Sequence, residues 1–559
     1  MQLSPIDILV MCVYLLGITA FGILVGYRRN TGTQQYFLAG RSLGWFTVGA
    51  AVFTSNISTL HLVGLAAGGA RDGLVIGNFE WMACFTLILL ALLFAPFYVR
   101  SNIQTLPEFM ERRYGPQART CLAIIGLLGA LLIHIGISLY AAARLFESFL
   151  GVPPLLTIIT LSLFTVIYTA VGGLRAVMLT ESIQVCLLLG GAILVTVLSI
   201  RALAPLGITD WASLRHAVAP GQLSMLQPVH DAQGKLNGYS WLSVLLGYPI
   251  LGIWYWCADQ THVQRVLGAK DLRAGQNGAL FAGFLKITPV FLMVLPGIAG
   301  YVLWQHNLLQ LPAGPDYNGM LPALINALVP EGLKGLLAAS MAAALMSCMA
   351  AALNSCATLI SLDIVGRWRP ETSQAQLVRI GRVATAVIMV LAMLWSTQGD
   401  QFGTIFEAIN KIPMTFAPAV TTLFVLGVLW KRGNYQGAMW TFYVGTLLGI
   451  TYFVLDLPSI GRALLHLPPT APFAGLVSDP TRGLGIPFML VGPILTALCT
   501  GIFVATSLLT PPMDPARIAG VVWDRPLQFL QGPLQSWSDP RLVSLYLLLT
   551  VGILYAILH

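Results

Sequence analysis

The chain has 559 residues, of which 57% are hydrophobic and only 9% are charged, and its formal net charge is +8. Soluble domains carry about 25% charged residues, so this composition excludes a soluble globular protein and indicates an integral membrane protein with many spans. The Lys and Arg residues are spread over short loops, which argues against nucleic-acid binding. The eight cysteines lie in or beside apolar segments and form neither a metal-type spacing nor a disulfide framework.

Apolar stretches of about 20 residues predict fourteen transmembrane helices. They cover residues 5–27, 42–72, 77–99, 118–149, 153–171, 176–203, 241–264, 275–304, 333–365, 377–397, 403–429, 434–455, 485–508 and 541–558. We interpret the first stretch as a retained span, because the residues before it lack the basic region of a signal peptide. Residues 1–508 are then one membrane domain, residues 509–540 a proline-rich cytoplasmic linker, and residues 541–559 the last span.

Loop charges predict the orientation of these spans. If the N-terminus lies outside, the inner loops and span ends contain twenty Lys and Arg residues and the outer ones contain seven. Cytoplasmic loops are enriched in Lys and Arg. We therefore predict a multi-pass protein of the plasma membrane (cell inner membrane) with both termini outside.

The second predicted span is interrupted near its middle. Residues 53–59 read FTSNIST, and five of these seven residues are polar. Irregular backbone at membrane depth is tolerated only where protein buries it or where it lines a cavity, and secondary transporters use such interruptions to bind ions and substrates. The alternative is a continuous helix whose Ser and Thr side chains bond to its own carbonyls.

A second interruption is predicted at residues 247–252, GYPILG, inside the seventh span. The two interruptions are five spans apart. Paired interruptions at matching positions of two halves are typical of transporters built from inverted repeats. The alternative is that Gly and Pro are simply frequent in membrane helices.

Two charged residues are predicted within or beside the membrane. Lys286 lies roughly 16 Å into its span, at a rise of about 1.5 Å per residue, and a lysine at this depth costs at least ~2.5 kcal/mol on insertion scales. Glu80, at the outer start of the third span, is a candidate partner. Both side chains could instead reach an interface by snorkelling, and position alone favours this alternative for Glu80 but not for Lys286.

Further polar and aromatic residues lie near the interruptions. His61 follows the first by about one turn, an aromatic triplet at 254–256 follows the second, and Asn410 lies in the eleventh span. The alternatives are a packed histidine and aromatic side chains of the core or the interfacial belt. Together with Lys286 and Glu80, this set suits a neutral polyhydroxylated solute, whose ring can stack on an aromatic side chain.

The ninth span is rich in Ala, Ser and Cys, which permits close helix packing. Within it, Ala344, Ser347 and Cys348 stand at i, i+3 and i+4 and therefore share one helix face. The Ala344 carbonyl and the Ser347 hydroxyl can meet carbonyls of the first interruption. Such hard oxygens are the ligands that a sodium ion requires, by the same logic as other hard cations.

Eight motifs extend the pattern over residues 20–450. They are SNIS with a following His and Gly-Gly at 55–69, FEW at 79–81, TLPEF at 105–109, YTAVGGLRAV at 168–177, WYWCADQTHVQR at 254–265, FLK at 284–286, ALMSCMAAALNSCATLISLDI at 344–364 and LWKR at 429–432. With these motifs the sequence resembles the sodium/solute symporter family, and within it the sodium–glucose cotransporters. The combination of motifs is highly specific.

The resemblance implies an all-α, LeuT-type fold of two inverted five-span repeats, at about 42–203 and 241–430. It implies a secondary active symporter that couples inward sodium movement to uptake of a hexose or similar polyol by alternating access. It implies Na⁺ as coupling ion, a sugar and membrane lipid as partners, and no nucleic acid. It does not specify the sugar or the oligomeric state.

Carried over position by position, the resemblance also implies site residues. The sodium ligands would be the carbonyls of Thr54, Ile57 and Ala344 and the side chains of Ser347 and Cys348. The substrate-binding positions would be His61, Glu80, Trp256, Lys286 and Asn410, with Tyr255 and Phe79 as inner and outer gating aromatics, Glu181 on the inner ion path, and Asn56 bracing the first interruption.

Four positions depart from the family pattern. Cys348 and Ala350 replace hydroxyl residues, Glu181 replaces an aspartate, and Asn410 is one methylene shorter than the usual glutamine. A thiol is a soft, weak ligand for a hard ion. Cys348 therefore leaves a sodium-independent or proton-linked carrier of the same fold as an alternative, and Ala350 predicts at most one sodium ion.

Two further classes are considered. A non-transporting membrane sensor of a solute usually carries an appended signalling domain, and the linker 509–540 is too short for one. An enzyme with a membrane-embedded site is disfavoured, because the sequence has no nucleophile–base pairing or metal-type spacing. The protein is therefore not predicted to be an enzyme.

Overall fold

The computed structural model describes residues 4–26, 32–230, 234, 236–311, 317–397, 412–456, 486–525 and 528–559. Within these ranges the regular secondary structure is helical, and the few backbone bridges are isolated pairs rather than strands. The regular structure of the described residues is therefore all-α, as the sequence predicts.

The helices follow one another along the chain as α1 to α24. Those of the first half are α1 Pro5–Gly26, α2 Thr33–Leu38, α3 Trp45–Asn56, α4 Thr59–Asp72, α5 Asn78–Leu89, α6 Ala95–Arg100, α7 Leu106–Arg113, α8 Pro116–Gly129, α9 Ser138–Leu150, α10 Pro154–Arg201 and α11 Trp211–Ala217. Those of the second half are α12 Trp241–Ile253, α13 Gln260–Leu267, α14 Leu272–Leu285, α15 Leu295–Gln305, α16 Met320–Leu328, α17 Leu333–Thr358, α18 Gly366–Trp368, α19 Gln374–Ser396, α20 Ala417–Leu429, α21 Tyr435–Leu455, α22 Phe488–Leu509, α23 Pro515–Ile518 and α24 Pro540–Ile557.

Several helices pass directly into π-helical segments. These segments are Leu90–Phe94, Ala130–Ile137, Trp254–Ala258, Val290–Val294 and Leu359–Val365. π-helical turns are often found at functional sites, and two of these segments, Ala130–Ile137 and Trp254–Ala258, contribute to the site described below.

Eleven helical stretches among the described residues are long and apolar enough to cross a membrane. His61–Arg100 contains one predicted span and the second half of another. Pro154–Leu206 contains two predicted spans, which meet at the non-helical residue Gly173, with φ 61° and ψ −167°. The predicted span 403–429 is described only from residue 412 onward. The count of fourteen and the bounds of the two repeats therefore stay predictions.

α17 occupies the centre of the helix bundle. In the apolar 18-residue segment of Leu333–Trp368, 94% of the residues are buried. The corresponding fractions are 22% for Pro5–Gly26 and 17% for Pro540–Ile557. The many small side chains of α17 allow neighbouring helices to approach closely. α1 and α24 instead expose large apolar side chains, which suits contact with lipid.

The first interruption lies where the sequence predicts it. α3 ends at Asn56, Ile57 has extended backbone with φ −75° and ψ 106°, and α4 begins at Thr59. The helix is therefore interrupted at Ile57 and Ser58. Phe53, Thr54 and Ser55, which precede the interruption, are buried, so the interruption lies inside the bundle.

The prediction of a second interruption at residues 247–252 is wrong. α12 runs through these residues to Ile253, and the backbone becomes extended only at Asp259, with φ −91° and ψ 126°, before α13. Gly247 serves packing instead, because a Cβ there would lie 2.1 Å from the carbonyl oxygen of Met489 in α22. Pro249 removes one backbone hydrogen bond, which membrane helices tolerate.

Candidate functional site

The end of α3 releases backbone oxygens from the helix. In a continuous α-helix, the Ser58 amide would donate to the Thr54 carbonyl and the His61 amide to the Ile57 carbonyl. Here the Ser58 amide donates to Nδ1 of His61 at 3.3 Å, and the His61 amide donates to the Ser58 carbonyl at 3.0 Å. The carbonyl oxygens of Thr54 and Ile57 are therefore freed from those two helical hydrogen bonds.

α17 brings a hydroxyl to one of these oxygens. Oγ of Ser347 lies 3.0 Å from the carbonyl oxygen of Thr54 and 2.9 Å from that of Ala344. All three residues are buried. Three hard oxygens of the predicted sodium set thus meet between α3 and α17.

Cys348 is directed to another element. Its Sγ lies 3.6 Å from the carbonyl oxygen of His134, in the π-helical segment Ala130–Ile137. The thiol donates to this carbonyl. The structure thus joins α17 to the segment of His134 at this point, and a role of Cys348 as an ion ligand stays a prediction.

A cavity of about 160 Å³ lies beside the first interruption. Seven residues predicted for the site line it: Asn56, His61, Phe79, Glu80, Tyr255, Trp256 and Lys286. The lining continues along α4 to the exposed side chain of Arg71 and to Asn318, on the side predicted to face outward. Because an engineered cavity of about 150 Å³ holds benzene, this volume suits one six-membered ring.

A hydrogen-bonded network crosses the floor of the cavity. Nζ of Lys286 donates to Oε2 of Glu80 at 2.6 Å and also to Oδ1 of Asn56. Nδ2 of Asn56 donates to the hydroxyl of Tyr255 at 2.9 Å, and Nε2 of His61 lies 3.8 Å from Oε1 of Glu80. The network ties the first interruption to α5, to the end of α14 and to the π-helical segment after α12.

This network excludes the alternative in which Glu80 and Lys286 snorkel to the membrane interface. The side chains of Glu80 and Lys286 are only 3% and 1% exposed, so neither reaches an interface. Lys286 is also positioned over the ring of Trp256, with Nζ 5.4 Å from its centroid. Buried charges are normally paired and hydrogen-bonded, and here each charge has a partner.

Aromatic side chains form the walls above this floor. Phe79 packs against Tyr239, Tyr248 and Phe488, with ring centroids 6.2 Å apart in each pair. Tyr255 and Trp256 also line the cavity, and their ring centroids are 5.0 Å apart. The cavity thus combines charged and hydroxyl groups with ring faces.

The second interruption of the structure is at Asp259, between Trp254–Ala258 and α13, and two buried contacts of Asp259 hold it in place. Oδ2 of Asp259 lies 3.0 Å from Nε2 of His134, and both side chains are at most 4% exposed. Oδ1 of Asp259 accepts the Thr261 amide at 2.6 Å and so caps α13. Nδ1 of His262 lies 3.1 Å from Oγ of Ser55, which links α13 to the end of α3. The two interruptions are therefore connected through side chains.

Comparison with known proteins identifies the family. The family model described as "Sodium:solute symporter family" matches residues 36–445. The chain belongs to this family. The symporter is 32% identical to "Sodium/glucose cotransporter 4" of Danio rerio over 93% of its own chain and 81% of the relative. It is 32% identical to "Sodium/myo-inositol cotransporter 2" of Oryctolagus cuniculus over 97% of its own chain and 83% of the relative.

A solved structure shares the fold of the symporter. The "Na+-coupled sialic acid symporter" superposes with a TM-score of 0.73 at 21% identity, over 91% of this chain and 99% of that one. At this identity the similarity concerns the fold alone. It confirms the predicted all-α, LeuT-type fold.

The predicted ion-path residue of the symporter lies away from the cavity. Glu181, on α10, is fully buried and forms an ion pair with Arg265 of α13, with Oε1 2.9 Å from the guanidinium, and it does not line the cavity. Asn410 lies outside the described residues. The binding roles of all the predicted residues stay predictions, although the structure places most of them together.

Sequence reasoning missed three residues of this site: His134, Asp259 and Tyr248. His134 and Asp259 lie inside predicted spans, and an ionisable residue within a span is a candidate functional residue by default. That signal was present in the sequence and would have found both. Tyr248 gives no such signal, because it carries no charge and belongs to the predicted interruption 247–252.

Proposed function

We propose that this protein is a symporter that couples inward sodium movement to the uptake of a neutral sugar or polyol. One observation carries the proposal. The first interruption presents the Thr54 carbonyl to Ser347 on one side and, two residues later, Asn56 to the cavity on the other. The ion position and the solute cavity thus share the last turn of α3, directly before the first interruption.

The ion position is suited to sodium. The carbonyl oxygens of Thr54 and Ala344 and the hydroxyl of Ser347 are neutral hard oxygens, and the released carbonyl of Ile57 belongs to the same interruption. A hard monovalent cation requires several such oxygens. On sodium binding, the Ser347 hydroxyl would turn its hydrogen away and offer its oxygen, so that it no longer donates to Thr54 or Ala344.

The cavity is suited to a hydroxyl-rich ring. Glu80 supplies a carboxylate acceptor, Lys286 a donor, Asn56 an amide and His61 an imidazole, while Trp256 offers a ring face. Because Glu80 and Lys286 neutralise each other, the site favours a neutral solute. The sugar and polyol names of the two curated relatives support this class of substrate.

Coupling follows from the shared backbone. Sodium between α3 and α17 holds the first interruption in the arrangement that also positions Asn56 at the cavity. Each ligand then raises the affinity for the other by the same factor, because binding free energies are linked reciprocally. An inside-negative membrane potential adds about 2.3 kcal/mol per charge per 100 mV to the inward driving force.

Orientation and location belong to the same proposal. With both termini outside, the cavity reaches Arg71 on the outer side, and the linker 509–540 lies in the cytoplasm. We place the protein in the plasma membrane, surrounded by lipid against α1 and α24. Cysteine labelling of outer and inner loops in intact cells tests this orientation.

Uptake into proteoliposomes tests the function directly. Purified protein is reconstituted, and uptake of labelled D-glucose and of labelled myo-inositol is measured with an inward sodium gradient and an inward potassium gradient. We expect accumulation of at least one of the two solutes with sodium only. Equal uptake in both gradients would refute the coupling.

The contact between Cys348 and His134 favours one second candidate, a carrier of the same fold without sodium coupling. The thiol bonds to a carbonyl instead of joining Thr54 and Ser347. The substitutions Cys348→Ser and Ser347→Ala distinguish the two candidates. If the protein is sodium-coupled, Ser347→Ala should lower the apparent sodium affinity about tenfold, which corresponds to about 1.4 kcal/mol. If it is an uncoupled carrier, Ser347→Ala should leave uptake unchanged, and Cys348→Ser should make uptake depend on sodium.

A further inference from the structure

We propose that Tyr248 determines substrate specificity by donating its phenolic hydrogen to a ring hydroxyl of the solute, and that Gly252 is the residue that allows its ring to lie there. This inference rests on the proposed sugar or polyol transport and names a group that recognises the solute. No residue predicted from the sequence has this role.

Tyr248 lies at the cavity between two site residues. It lines the cavity together with Phe79 and Trp256, and it is itself 7% exposed. Its ring packs edge-on against Phe79, with centroids 6.2 Å apart and an interplanar angle of 71°. The ring is therefore held on one side by the aromatic wall, and a solute in the cavity lies within reach of its hydroxyl.

The hydrogen-bond inventory of Tyr248 leaves one donor for a ligand. A phenol has one hydrogen to donate and an oxygen that accepts. Tyr248 lines the cavity, and among the described residues no acceptor is recorded for the hydrogen of its hydroxyl. A hydroxyl of a sugar or polyol is an acceptor of the right kind.

Gly252 makes the space for this ring. A Cβ built on Gly252 would lie 2.7 Å from Cε1 of Tyr248 and 2.8 Å from Cγ2 of Thr86. Residues 248 and 252 are one helical turn apart and lie on the same face of α12. Any larger residue at position 252 would push the phenol out of this place, so the two residues act as a matched pair.

The donor also has a fixed position. The phenol ring of Tyr248 packs against Phe79, with centroids 6.2 Å apart, and lies directly against Gly252. A donor held in this way discriminates between solutes that differ by one hydroxyl, because a solute without that hydroxyl leaves the buried donor without an acceptor.

The substitution Tyr248→Phe tests the inference in proteoliposomes. It removes the hydroxyl and keeps the ring. We expect KM for the transported probe, D-glucose or myo-inositol, to rise about five- to tenfold with Vmax within about twofold, as expected for one lost hydrogen bond. Tyr301→Phe is the matched control, since its hydroxyl accepts from Gln305 outside the cavity, and it should leave KM unchanged.

Monodeoxy analogues of the probe identify the partner hydroxyl. Each analogue is used as a competitor against the wild type and against Tyr248→Phe. One analogue should bind the wild type five- to tenfold more weakly than the parent and lose nothing further in the variant, because both changes remove the same hydrogen bond. If every analogue loses equally in both proteins, the inference is overturned.

Gly252→Ala provides a second, independent variant. It should raise KM for the parent probe by displacing the intact phenol, while the same change on the Tyr248→Phe background should have less effect on KM. Wild-type KM in Gly252→Ala would overturn the proposed pairing. The outcome of the proposed function is separate: a wild type that transports neither probe overturns both, whereas a transporting wild type with an unchanged Tyr248→Phe overturns this inference alone.

Discussion

The two halves of the second interrupted helix face opposite environments. The first half, α12 with Trp254–Ala258, lines the cavity through Tyr248, Trp254, Tyr255 and Trp256. The second half, α13, has all eight of its residues buried, although five of them are Gln, Thr, His or Arg. One helix therefore has an aromatic half that lines the cavity and a buried, polar half, separated by Asp259.

The polar half carries hydrogen-bonding atoms that the described residues do not satisfy. They are Nε2 of Gln260, Oγ1 of Thr261, Nε2 of His262, Oε1 of Gln264 and Nε of Arg265. A buried polar atom without a partner is costly, and few such atoms are expected in a native protein. Water would satisfy them if this half were opened, so we expect α13, which is buried in this structure, to become exposed during transport.

Breaking the ion pair on the cavity half should have the largest effect. Lys286→Met leaves the Glu80 carboxylate buried without its 2.6 Å partner. Removal of one member of a buried pair costs about 3–5 kcal/mol, and we expect transport to fall by more than about a hundredfold. Proteoliposome uptake and thermal unfolding in detergent measure the two effects.

The double variant Glu80→Gln with Lys286→Met separates stability from function. With both charges removed, stability should return to within about 1–2 kcal/mol of the wild type, whereas transport should stay low because the polar groups at the cavity are gone. Restored transport in the double variant would show that the pair is only structural.

Weakening the junction between the two halves should have a smaller effect. Asp259→Asn retains an oxygen that can cap α13 but loses the charge that faces His134 at 3.0 Å. We expect a loss of about 1–3 kcal/mol in stability and a roughly tenfold decrease in Vmax. His134→Gln should give a similar decrease, and its combination with Asp259→Asn should cost little more than either change alone. Additive losses would contradict a shared contact.

Opening of the polar half can be detected by labelling. Thr261→Cys, in a background with the more accessible Cys12, Cys121 and Cys186 replaced by Ser, places a thiol at a buried position of α13. Labelling from the inner side should be slow with sodium alone and should increase several-fold when sodium and the transported solute are both present. A labelling rate that is the same in all conditions would mean that α13 stays closed during transport, and it would contradict a role of α13 in the transport pathway.

A charge pair far from both halves should have the smallest effect. Asp539 caps α24, and its hydrogen bonds with Arg541 lower the pKa of its carboxyl. Because the folded-state pKa is lowered, this group stabilises the protein above its unfolded pKa of about 4, and the stabilisation is lost as the pH falls through the folded-state pKa. Asp539→Asn should cost about 1 kcal/mol at pH 7 and progressively less below about pH 4.

The same variant serves as a control for the comparison. Transport by Asp539→Asn should equal that of the wild type, since Asp539 does not line the cavity or contact α13 in the described contacts. The unfolding temperature in detergent, measured between pH 7 and pH 3, checks the pH dependence. A large transport defect would mean that effects at the site cannot be assigned to local contacts.

The sequence by itself determined the features that follow from local composition. Apolar length predicts membrane helices, and five polar residues at 53–59 predict a helix end, because neither property depends on which neighbour packs there. The depth of Lys286 predicts a buried partner for the same reason, and the structure supplies Glu80.

Only the tertiary structure decided the second interruption and the direction of individual side chains. Gly247 looks like a helix breaker in isolation, but it permits close packing because the backbone of Met489 lies against it. Cys348 shares a face with Ser347, yet its thiol meets His134, which comes from a segment more than 200 positions away. Whether a glycine breaks a helix, or where a side chain bonds, depends on atoms that are distant along the chain, and a sequence pattern of short range does not contain them.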